Sequence, residues 1–304
     1  MKAHDILSRQ EIVQLMSKSN LRATVLVLSC WAWVIAAMTL VAIWPNLVTV
    51  IIALLIIAGR QLSFAILMHD CGHNSLFKSI KLNQFVGTWL VGAPVFSDIQ
   101  TYSRQHTIHH KDVGTAKDPD LANYVAYPIS KMSFLRKISR DLSGLTALKF
   151  WFYILKTRHP SQKSMVTNIA LFRGLAVNLV IFLCCYVLNV AWLYLLWILA
   201  YNTTYFLFLR IRHVGEHAAV PNSISPNMFE NTRTTLSSWW ERLLICPVYV
   251  NYHIEHHLLP SVPPYNLPMM HKWLVAKDAY KNTPLPSSYI AMLRSVLIPL
   301  PIDN

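Results

Sequence analysis

The sequence predicts an all-α integral membrane protein: four transmembrane helices in two hairpins with a histidine-rich cytoplasmic cap, one domain over residues 1–304. Three observations predict it. Four long apolar runs occur as two close pairs. Basic residues are absent from the links inside both pairs. Ten of the thirteen histidines gather in four tight clusters, all outside the apolar runs.

Hydrophobic residues make up 54% of the chain and charged residues 13%, where soluble domains carry about 25% charged. Residues 1–20 read as a short polar or amphipathic helix lying on the membrane. The first two runs cover Leu21 to Trp44 and Leu47 to Met68, linked through Pro45 and Asn46. Each is near the roughly 20 residues that cross a bilayer core, where a helix satisfies its own backbone. The first is too long, and too soon followed by an apolar partner, to be a signal peptide. Lys81 to Ile99 is apolar but broken by Gly87, Gly92 and Pro94, so it is expected to lie in the interface or dip in. From Lys131 to Lys163, basic residues alternate with Phe134, Leu135, Phe150, Trp151 and Phe152, the mixture of amphipathic surface helices. Runs three and four cover Asn168 to Leu188 and Ala191 to Leu209, joined by Asn189 and Val190. Pro260, Pro263, Pro264 and Pro268 interrupt the chain after the last cluster.

Of the 27 Lys and Arg, all but Arg60 and Arg173 lie in three places: the N-terminal tail and mouth of the first run, the stretch from His69 to Thr167, and the region from Arg210 onward. The positive-inside rule then puts both termini and the central stretch in the cytoplasm. A multi-pass protein is expected, in the inner membrane if bacterial. The net charge of +13 fits attraction to anionic headgroups. No motif or basic tail points to nucleic acid. The five cysteines form no metal-type pair and read as small buried hydrophobes.

The clusters are His69 and His73, His106 with His109 and His110, His213 and His217, and His253 with His256 and His257. Spacings of three and four residues bring rings to one helix face, and neutral imidazole suits zinc, copper, iron or nickel. A structural zinc takes about four ligands, so ten imidazoles point to several ions in a single polynuclear site. His69 and His213 each come 22 residues after their span begins, at Leu47 and Ala191. That is about 33 Å of helix, just past the hydrocarbon core. Both pairs therefore leave the bilayer at one level, and the cap clusters can fold back over them. His4, His159 and His271 stand alone and read as surface or satisfied core residues.

Several other residues carry two readings. Asp70, Glu216 and Glu255 are either acceptors that fix an imidazole tautomer or exposed carboxylates on a polar face. Asp112, Asp118, Pro119 and Asp120 read as turn and cap residues. Arg60 lies about 13 Å of helix before His69, near the depth of Asn202, Thr203 and Thr204. A charge is expensive there, so Arg60 is either a hydrogen-bonded structural arginine or the polar end of a substrate tunnel. Residues 231–235 are a loop or a substrate contact. Lys131, Arg136, Lys137 and Arg140 face lipid or hold an acidic headgroup.

In HDCGH (His69 to His73), HTIHHKDVGTAKDPD (His106 to Asp120) and NYHIEHHLLPSVPPY (Asn251 to Tyr265), the chain resembles the integral-membrane fatty acid desaturases. Related hydroxylases and ketolases share these motifs, and the resemblance covers nearly the whole chain. It implies a non-haem di-iron centre at the cytoplasmic face, with O2 as co-substrate. His69, His73, His106, His109, His110, His253, His256 and His257 match the three histidine boxes. His217 matches an additional histidine of acyl-CoA desaturases. His213 departs from that subgroup, which has an asparagine there, and is counted as a tenth ligand. No His-Pro-Gly-Gly haem motif occurs, so a separate electron donor of ferredoxin, rubredoxin or cytochrome b5 type is expected. The implied activity is an O2-dependent lipid desaturase that introduces a double bond into a fatty acyl chain. The rival is hydroxylation or ketolation of a carotenoid, alkane or sphingolipid by the same histidines. A metal transporter fits less well: transporters place ligands near the midplane, and the four runs hold no Asp or Glu.

Overall fold

The computed structural model of the chain describes residues 2–156 and 168–298. His159 and the end of the 131–163 stretch lie outside the described residues. After one turn at Ala3–Ile6, α1 (Arg9–Leu15) begins at Ser8, whose hydroxyl accepts from the Glu11 amide while Glu11 returns the bond. Leu15 is buried, and Asn266 Nδ2 donates to the Leu15 and Ser17 carbonyls at 2.9 and 3.0 Å. The N-terminal segment is therefore tied to the C-terminal third of the chain, beyond the surface helix its sequence suggests.

The first pair of runs forms α2 (Asn20–Ile43) and α3 (Leu47–Gly72), with Asn46 capping α3 through the amides of Val48 and Thr49. Buried positions on α2 are Ala23, Val27, Cys30, Val34, Ala37, Met38 and Val41, while Leu21, Val25, Leu28 and Ile35 are exposed. Steps of four and three residues mark one helix face, and that face packs on α3. The outward apolar side chains suit contact with lipid. Trp31 of α2 and Phe64 of α3 meet with ring centroids 4.6 Å apart.

The chain next runs as a short helix (Ile80–Phe85), a π-helical turn (Val86–Gly92) and a 3-10 turn (Ala93–Val95), packed on α3. The glycines permit this approach. A Cβ on Gly87 would meet Cys71 Cβ at 2.7 Å, and one on Gly92 the Gly87 carbonyl at 2.4 Å. Irregular turns leave carbonyls without helical donors, and neighbouring side chains supply them. Trp31 Nε1 donates to Leu90 O (3.1 Å), Asn178 Nδ2 to Pro94 O (3.2 Å) and Tyr201 Oη to Val95 O (2.9 Å).

α4 (Ile99–Asp112) follows, then the amphipathic pair α5 (Lys131–Leu142) and α6 (Leu145–Lys156) and the third span, α7 (Asn168–Val187). The fourth run, expected as one helix, is broken. α8 (Tyr194–Asn202) and α9 (Thr204–His217) meet at Thr203, with φ −129° and ψ −88°. The cause is local. Asn202 Nδ2 donates to Ile198 O at 2.7 Å and Thr203 Oγ1 to Leu199 O at 2.6 Å, so side chains take over acceptors that a continuous helix would fill with amides. α10 (Trp239–Leu244), α11 (His253–Leu258) and α12 (Leu267–Ala276) complete the C-terminal region. The two-residue strands β1 (Ile129–Ser130) and β2 (Leu297–Ile298) pair in parallel.

Among the described residues, four helical segments are long and apolar enough to cross a membrane: Asn20–Ile43, Leu47–Gly72, Asn168–Val187 and Ala191–His217. The second is the most enclosed, with 61% of its apolar window buried against 28% for the first and third. This central helix, α3, ends at the first histidine pair.

Arg60 on α3 is buried and donates to the Leu243 carbonyl at the end of α10, the helix terminus that favours a cation. Beside it, a Cβ on Gly59 would meet Leu243 O at 2.7 Å and Leu244 Cα at 2.9 Å. The Asn202 side-chain oxygen Oδ1 is engaged elsewhere, accepting from Trp151 Nε1 at 2.8 Å. The bond to Leu243 O is what the structural reading of Arg60 expects. Arg60→Met should therefore lower thermal stability in detergent by about 1–3 kcal/mol, the cost of an unpaired buried acceptor, with the position of oxidation on the substrate unchanged. A shifted position, read by mass spectrometry, would restore the tunnel reading.

Candidate metal centre

Nine of the ten clustered histidines converge as two adjacent groups. His69, His73, His106, His110 and His256 form one, and His109, His217, His253 and His257 the other, with ligand atoms of each group within 4.8 Å of one another. Helical spacing explains the division. Rings four residues apart share a group, as 69 with 73, 106 with 110 and 253 with 257. The ring three residues on from 106 or 253 points to the other group, which places His109 and His256. The groups touch where the His110 and His257 rings lie 4.3 Å apart.

The donor set fits metal ions. In the five-histidine group four Nε2 atoms close a ring of contacts: His69 to His106 at 2.8 Å, His106 to His110 at 2.9 Å, His110 to His256 at 3.0 Å and His256 to His69 at 3.1 Å. The centre of a square with such edges lies about 2.1 Å from each corner, the length of a metal–imidazole bond. His73 Nε2 is buried beside them without a protein partner. In the second group His253 Nε2 lies 3.0 Å from His217 Nε2 and 3.1 Å from His257 Nε2.

The backs of the rings are held by acceptors, which fix the tautomer that leaves Nε2 free. His69 Nδ1 donates to Asp70 at 2.9 Å, His109 Nδ1 to Asp118 at 2.8 Å and His217 Nδ1 to the Asn231 carbonyl at 3.2 Å. Glu216 stands between Arg212 at 2.6 Å and His253 Nδ1 at 3.5 Å. Asp118 is no simple turn residue: it is buried and also accepts from Tyr124 Oη. Burial alone would raise its carboxyl, but the bonds from His109 and Tyr124 keep it below the usual range. No helical period links His109 to Asp118, so sequence spacing carries no sign of the pair.

Glu255 is buried but meets no ligand ring. Its carboxylate accepts from Thr234 Oγ1, His271 Nδ1 and Tyr280 Oη, each at 2.5 Å. Those bonds anchor α11, which carries three ligands, to α12 and to residues 231–235. That polar run is not a free loop: Asn231 to Thr235 are all buried. His271, a lone histidine in the sequence, is a satisfied core residue of this anchor.

Burial, then repulsion from neighbouring rings, holds the imidazoles outside the spans below the ordinary value of 6.5: His110 at about 2, and His106, His253, His256 and His257 well below. Burial alone brings His73 to about 4. These rings are neutral at pH 7 and available as donors.

His213 belongs to neither group. It lies one helical turn before His217, but its exposed ring lines a cavity of about 40 Å³ beside the histidines. Ligands of both groups reach that cavity: His106 from the first, His109, His217 and His253 from the second.

Comparison with known proteins gives the family of the chain. The model of the Fatty acid desaturase family matches residues 42–289. The chain is 26% identical to a dihydrorhizobitoxine desaturase of Bradyrhizobium elkanii over 245 residues, 76% of this chain and 69% of that one. It is 26% identical to a sphingolipid delta(4)-desaturase/C4-monooxygenase of Homo sapiens, covering 76% and 67%. A putative enzyme of the same description from Caenorhabditis elegans is 25% identical, covering 76% and 59%.

Two outcomes follow from the site. Asp118→Ala should weaken metal retention about 10- to 100-fold, measured as metal content after dialysis; an unchanged content removes Asp118 from the site. In the metal-free protein the depressed histidines bind fewer protons folded than unfolded. Their stability contribution is full above pH 6.5 and is lost as pH falls below it, down to about 4 for His73 and about 2 for His110, at about 1.4 kcal/mol per pH unit for each ring. Thermal unfolding across that window checks the slope, and a flat profile contradicts it.

Proposed function

The chain belongs to the fatty acid desaturase family and is an oxidoreductase; on that premise we propose an O2-dependent di-iron lipid desaturase that introduces a double bond into a fatty acyl chain at the cytoplasmic membrane face. The observation that carries the proposal is the pair of touching imidazole groups, five rings and four, with nitrogens at metal-ligand spacing. Nine imidazoles are the proposed direct ligands. His213 lines the same cavity as four of them, and its proposed part in the centre is indirect. Two iron ions held there would supply the reduction of O2 and the removal of hydrogen from an unactivated C–H bond.

The chain's own residues do the rest. The neutral rings offer lone pairs without first losing protons. Asp70, Asp118 and the Asn231 carbonyl hold the Nδ1 protons, so the metal-facing nitrogens keep one orientation. Burial of seven ligands below one-tenth exposure restricts water at the site, which protects reactive oxygen chemistry from side reactions. Overall, –CH2–CH2– with O2, two electrons and two protons gives –CH=CH– and two water molecules. A separate protein of ferredoxin, rubredoxin or cytochrome b5 type would deliver the electrons.

The proposed topology is two hairpins within a single membrane domain, with both termini and the histidines cytoplasmic. The basic residues flanking the spans support this orientation. Hydroxylation or ketolation is the second reading, and one relative's description favours keeping it, since it joins desaturase to C4-monooxygenase.

Lipid mass spectrometry on membranes containing the protein should reveal a species lighter by two hydrogens and absent from a His109→Ala control. A species heavier by one oxygen would move the assignment to the second reading. The same product from both proteins would sink the centre.

A further inference from the structure

The pair α5 and α6 carries basic residues that the histidine centre does not use. On α5, Met132, Leu135 and Leu142 are 46% to 60% exposed. On α6, Leu145, Leu148, Phe152 and Leu155 are 49% to 66% exposed. Steps of three, four and seven residues put each set on one stripe of its helix. A separate stripe meets the protein, Phe134 and Asp141 on α5 and Ala147 and Ile154 on α6. Exposed apolar residues aligned over two successive helices mark an interaction surface, where scattered ones would not.

Cations border the apolar stripe. Arg136 and Arg140, one helical turn apart, stand exposed on α5, and Lys149 and Lys156 on α6. A groove of about 630 Å³ lies among Met132, Leu135, Arg136, Ser139 and Arg140, so aliphatic and cationic groups share one surface. The two helices hold six Lys and Arg and a single acid, Asp141. That acid is turned inward: Arg210 Nε and Nη2 donate to it at 2.5 and 2.7 Å, and Thr146 Oγ1 at 2.6 Å. Its charge is therefore spent on holding α5 to α9, and the outer face keeps an uncompensated positive charge.

We propose that α5 and α6 form a platform in the headgroup layer, where Arg136 and Arg140 bind the phosphates of anionic phospholipids. The proposal goes beyond the desaturase reading and rests only on the cytoplasmic placement of this segment, the side on which anionic lipids concentrate. A soluble anion would satisfy the arginines but leave the leucines and Phe152 in water. A neutral lipid surface would cover the apolar stripe but leave the cations without partners. An anionic leaflet takes both at once, acyl chains against the stripe and phosphates against the guanidinium groups.

The test titrates the full-length protein in neutral detergent with short-chain phosphatidylglycerol, its phosphatidylcholine counterpart, inorganic phosphate or coenzyme A, with binding read by thermophoresis. Phosphatidylglycerol should bind most tightly. Arg136→Gln with Arg140→Gln should weaken it about 25-fold, about fivefold for each cation near an anionic surface. Lys272→Gln with Lys281→Gln, a matched loss of exposed charge elsewhere, should leave it unchanged. Leu135→Ser with Phe152→Ser should also weaken it, which a site for phosphate alone would not show. Equal affinity for the two lipids, or an equal loss in the two charge variants, overturns the proposal. Binding of phosphate or coenzyme A as tight as that of phosphatidylglycerol makes this a site for a soluble anion, and overturns it too. Metal content should be the same in every variant, so failure here leaves the desaturase reading standing.

Discussion

Uncharged imidazoles packed nitrogen to nitrogen, out of water, are the constraint on which the rest of the structure depends. Each ring must shed its proton, point Nε2 inward and stay there, although neighbouring lone pairs stand 2.8 to 3.1 Å away. Free side chains would turn aside. The protein opposes this from behind, through Asp70, Asp118, Asn231 and, at longer range, Glu216. The Glu255 anchor applies the same principle one layer further out, fixing a whole helix where the others fix single rings. The site is thus a set of inward-facing ligand nitrogens inside a frame of satisfied hydrogen bonds.

That frame obeys the rule of the bilayer, that backbone polar groups find partners within the protein. Where the chain departs from a regular helix, at the turns of residues 86–95 and at the break in the fourth span, side chains fill the freed acceptors. Arg60 performs the same task for the end of α10. Irregularity and buried polarity are therefore matched pairs, and they let elements from distant parts of the sequence meet beneath the histidines.

The spans were legible because apolar length and helical period are local properties. Nine of the ten ligand candidates converge because a spacing of three or four residues settles which way rings point once the helices exist. What sequence conceals is contact between elements. Asp118 resembles any turn aspartate until the chain brings it to His109. Glu255 looks like a partner for its neighbouring histidines, yet turns to His271 and Tyr280. His213 has the spacing of a ligand with His217, but it lines a cavity wall and joins neither group. The break at Thr203 was written in Asn202-Thr203-Thr204, whose side chains compete with the backbone, although hydropathy alone reads through it.

The division of histidines by helical spacing has a mechanical consequence. α4 and α11 each hand rings to both groups from adjacent positions on one face of a rigid rod. A small rotation of either rod that brings its rings closer to one group swings the others away from the second. The two groups behave like pans on shared beams, and no adjustment of one leaves the other untouched. Any change in how these helices seat is therefore felt at both ends at once, which makes the pair a single unit for natural variation as well as for design.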